Sequence, residues 1–87
     1  MRALGKIASC EISFAPIISS DYIDDVNRVI SIIESYNMEH SVGLLSTTVR
    51  GDKCSIFDMI REIYNTMDGT AKFTLDIKIS NLCGCEV

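Results

Sequence analysis

Leu45 to Ile60 reads "LSTTVRGDKCSIFDMI", and its reading decides the fold. A short β-branched run, "STTVR", meets Gly51-Asp52, and a segment with helical spacing begins directly afterwards. A strand therefore passes straight into a helix. Ser55 followed three residues later by Asp58 resembles a capping box, which predicts the helix start near Ser55. Its inner face is expected to carry Ile56, Phe57, Ile60, Ile63, Tyr64 and Met67, with Asp68-Gly69 closing it.

Upstream, the chain from Met38 to Arg50 divides into two strands turning near Gly43 to Leu45. Before it, "SSD" at Ser19 to Asp21 offers N-caps for a helix with apolar positions at Tyr22, Ile23, Val26, Val29, Ile30, Ile33 and Tyr36. That helix stops near Asn37, a residue tolerant of the left-handed conformation. The first element, Ile7 to Ala15, alternates, with Ala8, Cys10, Ile12 and Phe14 on one face, and Pro16 is expected to end it. Downstream, Ala71 to Ser80 alternates again, with Ala71, Phe73, Leu75, Ile77 and Ile79 inward and Lys72, Thr74, Asp76, Lys78 and Ser80 outward.

The order β-α-β-β-α-β predicts an α+β, ferredoxin-like fold, a four-stranded antiparallel sheet with two helices on one face. All 87 residues are read as one domain of this kind. The first and last strands are expected to be central or near-central neighbours, with Glu11 and Ser13 beside Asp76 and Lys78 on the uncovered face. Strand alternation turns Leu45, Thr47 and Val49 toward the helices and Ser46, Thr48 and Arg50 toward the open side.

Composition removes several classes of function. Eight basic against twelve acidic residues give a net charge of -4, and no Lys/Arg cluster provides the footprint of a nucleic-acid binder. The open-face positions carry no aromatics on which bases would stack. No apolar run approaches the ~20 residues that span a bilayer, and the first residues lack the long apolar core of a signal peptide, which points to the cytoplasm. Self-association is expected, because a chain this short buries only somewhat more than roughly 60% of its unfolded surface.

Of the four cysteines, Cys10 and Cys54 read as small packing residues. Cys83 and Cys85 read as no metal site, since His40 is the one histidine available to complete a ligand set. A thiol-dependent metal carrier is the weakest alternative. No paired carboxylates, nucleophile-base set or phosphate loop supports catalysis, so the expectation is a protein that is not an enzyme and needs no cofactor.

Taken together, "CEISFAPIISSDYIDDV", "LSTTVRGDKCSIFDMI" and "SNLCGC" resemble the YkoF-like thiamine/hydroxymethylpyrimidine-binding family. Ser46, Thr47 and Gly51 stand where that family carries Ser-Thr-x-x-x-Gly, and Ile56, Phe57 and Asp58 match the helix opening that follows. Ser80, Cys83 and Gly84 resemble its C-terminal motif, without the proline after the cysteine. The resemblance implies non-enzymatic binding of thiamine or its hydroxymethylpyrimidine precursor, in uptake or salvage. A single unit, where the protein that names the family has two, implies a homodimer or homotetramer.

The residue chemistry is compatible with this. An aminopyrimidine asks for an acceptor beside hydroxyl groups, and Glu11, Ser13, Ser46, Thr47 and Thr48 are of those types. The thiazolium of thiamine is a cation that Tyr22 or Asp21 would attract. Each residue also has a plainer reading: Glu11 pairing with Arg50 or Lys78, the hydroxyls as ordinary strand residues, and Tyr22 as core. The competing function is a structural or regulatory domain that pairs sheets and binds no small ligand.

Overall fold

The computed structural model describes residues 6–82. Its order is β1 (Ile7–Ile18), α1 (Tyr22–Ser35), β2 (Glu39–Val42), β3 (Thr47–Asp52), α2 (Lys53–Asp68) and β4 (Lys72–Ser80). The strands form one antiparallel sheet in the order β2-β3-β1-β4, and the architecture is ferredoxin-like. The expected placing of the last strand among the centre strands is corrected: β1 and β3 are central, and β4 is an edge. Glu11 does stand opposite Lys78, and Ser13 opposite Asp76.

Pro16 does not end β1. The β1–β3 register stops at Ile12 opposite Thr47, whereas pairing with β4 continues through Pro16 opposite Phe73 to Ile18 opposite Lys72. Beyond Ile12 the strand has, among the described residues, a neighbour on one side only, and an edge position tolerates proline. The register shifts between Pro16 and Ile18, a bulge at the strand's end.

The second helix starts earlier than its sequence suggests, because Asp52 rather than Ser55 caps it. Asp52 has extended backbone, and one of its carboxylate oxygens accepts from the amides of Cys54 (3.0 Å) and Ser55 (3.2 Å). In α1 the capping group is Asp21, whose side chain accepts from the amide of Asp24. That helix ends through Tyr36 into Asn37, which has φ 58°.

The core lies between the helices and one sheet face. Ala8, Cys10 and Ile12 of β1 and Val49 of β3 meet Val29, Ile32 and Ile33 of α1 and Ile56, Met59, Ile63 and Met67 of α2. Phe57 and Tyr64, expected inside, are half exposed at 50% and 52%, and Met59 occupies the centre instead. Tyr64 packs its edge on Phe73, with ring centroids 5.5 Å apart, so it covers the β4 margin. Tyr22 and Ile23, also expected inside, are exposed. Leu45 is 88% exposed, in the turn before β3, while Thr47 and Val49 are buried as alternation requires.

Candidate functional site

The site grows out of the different lengths of β1 and β3. Because β3 begins at Thr47 opposite Ile12, the next residues of β1 have, among the described residues, no strand beside them on that flank. The β2–β3 turn and α1 close round the vacancy. The result is a notch of about 110 Å³. Its floor is apolar, from Ile12 and Phe14 of β1 and Val26, Val29 and Ile33 of α1, and Ser13, Ser46 and Thr47 bring hydroxyl-bearing residues to it. The volume is of the same order as the ~150 Å³ apolar cavity that accepts benzene.

Gly43 shapes the lip. Its amide donates to the carbonyl of Ser46 at 2.9 Å, and a Cβ on it would stand 3.0 Å from that same oxygen. A side chain there would have to push that carbonyl back by a few tenths of an ångström, so glycine suits this tight turn. Leu44 and Leu45 are left projecting into solvent beside the opening.

On the uncovered face, just outside the notch, Glu11, Ser13, Ser46, Asp76 and Lys78 border a shallow recess of about 460 Å³. Ser46 Oγ donates to Glu11 Oε2 at 3.0 Å, which holds the carboxylate toward the turn. Arg50 has a different partner from the one anticipated: it donates to Glu39 at 2.7 Å on the neighbouring strand. Ser13 and Ser46 border both hollows, so notch and recess are adjacent.

Thus Ser13, Ser46 and Thr47 meet at the notch, and Glu11 joins them through Ser46. Thr48 is exposed on the outer face, beside Ser41 and Ser46. Tyr22, at the first turn of α1, is 64% exposed and borders neither hollow. A cation–π role for it at this notch has no geometric support.

Two features of this region are not legible in the sequence. Asp25 is buried, at 3% exposure, and accepts from Ser19 Oγ, which pins the connection between β1 and α1. An acid in the first turn of a helix reads as a surface residue, and only the extension of β1 past Pro16 brings Ser19 over it. The apolar floor was the other, because Val26 and Val29 read as core and nothing in their spacing marks a gap above them. Among the described residues no group of three or more His, Cys, Asp or Glu is arranged to hold a metal ion. Cys83 and Cys85 lie outside the described residues. None of the helices described is long and apolar enough to cross a membrane.

A family model, the YKOF-related family, matches residues 7–85. The chain belongs to that family. Its fold is similar to that of a candidate thiamine biosynthesis/salvage protein from Thermotoga maritima, with a TM-score of 0.77 and 27% identity over 90% of this chain and 86% of that one. A domain of unknown function from Bacillus cereus (TM-score 0.79, 20% identity, 94% and 82% of the two chains) shares the fold. So does a Streptococcus pneumoniae protein (TM-score 0.78, 18% identity, 85% and 84%). No curated protein matches.

Proposed function

We propose that this YKOF-family protein binds thiamine or its hydroxymethylpyrimidine precursor in the notch, as a cytoplasmic, non-catalytic carrier or sensor in uptake or salvage. The observation that carries the reading is one junction: hydroxyl-bearing Ser13, Ser46 and Thr47 at an apolar notch, with the Glu11 carboxylate in the adjoining recess and tied to the notch by Ser46. A flat aminopyrimidine offers apolar faces, an exocyclic amine and ring-nitrogen acceptors, and this combination supplies a partner for each. Glu11 and Asp76 on the adjoining recess suit the cationic thiazolium. The name of the Thermotoga protein, at 27% identity, agrees with that substrate class.

A second reading has its own support. The long exposed edge of β4 favours a structural or regulatory role in pairing sheets, and self-association as a homodimer or homotetramer accompanies either function. Thermal unfolding with and without each compound separates the two. Ligand at about 100 times its dissociation constant should add roughly 2.7 kcal/mol of stability, a rise in Tm of many degrees for a small domain. An unchanged Tm with both compounds at millimolar concentration would leave only the sheet-pairing role.

A further inference from the structure

The turn at the lip of the notch carries two leucines that neither turn chemistry nor the core accounts for. Tight turns favour Gly, Asn, Asp, Ser and Pro, whose backbones or short polar side chains suit the bend. Between Gly43 and Ser46 stand Leu44 and Leu45 instead, the first fully exposed and the second 88% exposed. Among the described residues no other large apolar side chain is as exposed as either. Neither has a positive φ, so the loop lacks the backbone form that fits two-residue hairpin loops to the twist of their strands.

Three hollows lie within reach of this turn, and they are bordered unequally. Both leucines border the notch, and both border a hollow of about 390 Å³ on the outer face beside Ser41 and Thr48, which among the described residues is lined by no charged side chain. Leu45, unlike Leu44, also borders the recess that carries Glu11, Asp76 and Lys78. The notch, at about 110 Å³, is of a size for one six-membered ring. A ligand of two linked rings, one neutral and one cationic, therefore leaves its second ring outside. The two carboxylates draw that cation to the recess rather than to the uncharged hollow.

We infer that Leu44 and Leu45 are ligand-contacting residues with different tasks. Leu44 covers the ring seated in the notch, and Leu45 spans notch and recess, packs on the second ring as well, and so sets the preference between one-ring and two-ring compounds. This rests on the binding proposed above and adds the contacts that give it specificity. The ends of the turn are held, by Val42 pairing with Thr47 and by Ser46 donating to Glu11. The leucines thus reach the ligand by changing rotamer over a fixed backbone. Removing their surface from water against an apolar ring face drives the closure.

The test is calorimetry of hydroxymethylpyrimidine and of thiamine against the full chain as wild type, Leu44→Ser and Leu45→Ser. Both positions are exposed, so the variants should unfold at the wild-type Tm. Leu44→Ser is expected to weaken both compounds alike, by about fivefold to tenfold. Leu45→Ser should weaken thiamine by about tenfold and hydroxymethylpyrimidine by about threefold or less, and Leu45→Met, which keeps the apolar bulk, should restore most of the thiamine affinity. A merely loosened turn lowers both affinities together, so equal losses in Leu45→Ser overturn the specificity role, as does a wild type that binds one compound and not the other. Wild-type binding that neither serine variant weakens overturns the leucine contacts and leaves the binding function standing. No heat with either compound overturns the binding function and this inference with it.

Discussion

Ser46 Oγ donates a hydrogen bond to Glu11 Oε2 at 3.0 Å, joining the turn before β3 to the middle of β1 across 35 positions of sequence. The bond lies on the uncovered, exposed face, where water competes for the carboxylate and the contact adds little to stability, and its value is in aiming that carboxylate. Ser46→Ala is therefore expected to cost roughly 0.5 kcal/mol of folding stability or less, because Glu11 stays hydrated. On the proposed function it should weaken thiamine binding by more than that. Parallel denaturant titration and binding calorimetry on the variant check the difference.

Asp52 is expected to matter more for folding than its half-exposed position suggests. Its carboxylate serves the amides of both Cys54 and Ser55, so Asp52→Ala should lower stability by about 0.5 to 2 kcal/mol. Ser55→Ala, at the position the sequence marks as the cap, should cost distinctly less. Urea unfolding of the two variants ranks them directly.

A close approach explains Gly51. A Cβ there would stand 2.6 Å from Met38 Sδ and 2.8 Å from its Cγ, so Gly51→Ala forces the methionine aside. About 1 kcal/mol or somewhat more is the expected loss. Adding Met38→Ala removes the clash, and the double variant should be more stable than the sum of the two single losses implies, which a double-mutant cycle measures.

Much of this architecture is legible in the sequence, and the failures share a cause. The alternation of β4 reads cleanly because one face is covered and the other open, and Thr47 and Val49 turn inward as their period requires. Pro16 misleads because a local breaker signal cannot know that β1 continues beside β4 alone. Phe57 and Tyr64 mislead because an apolar stripe does not reveal where its centre lies; that is set when Ile56, Met59 and Ile63 seat between α1 and the sheet. The hydroxyl types of the candidate site are visible in "STT", but the notch is not. It exists because β3 starts opposite Ile12 rather than Phe14, a register no residue announces.

Burial pushes the Cys10 thiol up to about 11 from an ordinary value of 9.0, with the neighbouring Glu11 carboxylate adding to the effect. The thiol is thus neutral in the folded protein where it would ionise in the unfolded chain. Its contribution to stability is whole below pH about 9 and is lost as pH rises through about 11. Cys10→Ala should flatten that alkaline decline in denaturation curves. At pH 8, exposed Cys54 should react with a thiol reagent well before Cys10 does.

The most direct measurement of the central claim is isothermal calorimetry of hydroxymethylpyrimidine and thiamine against the wild-type chain and Thr47→Val. Thr47 is 8% exposed at the notch, and valine keeps its shape while deleting the hydroxyl. The account predicts saturable heat with wild type for at least one compound, and affinity lower by about 1 to 3 kcal/mol in the variant. Absence of heat with both compounds at millimolar concentration would contradict it, as would a variant that binds as tightly as wild type.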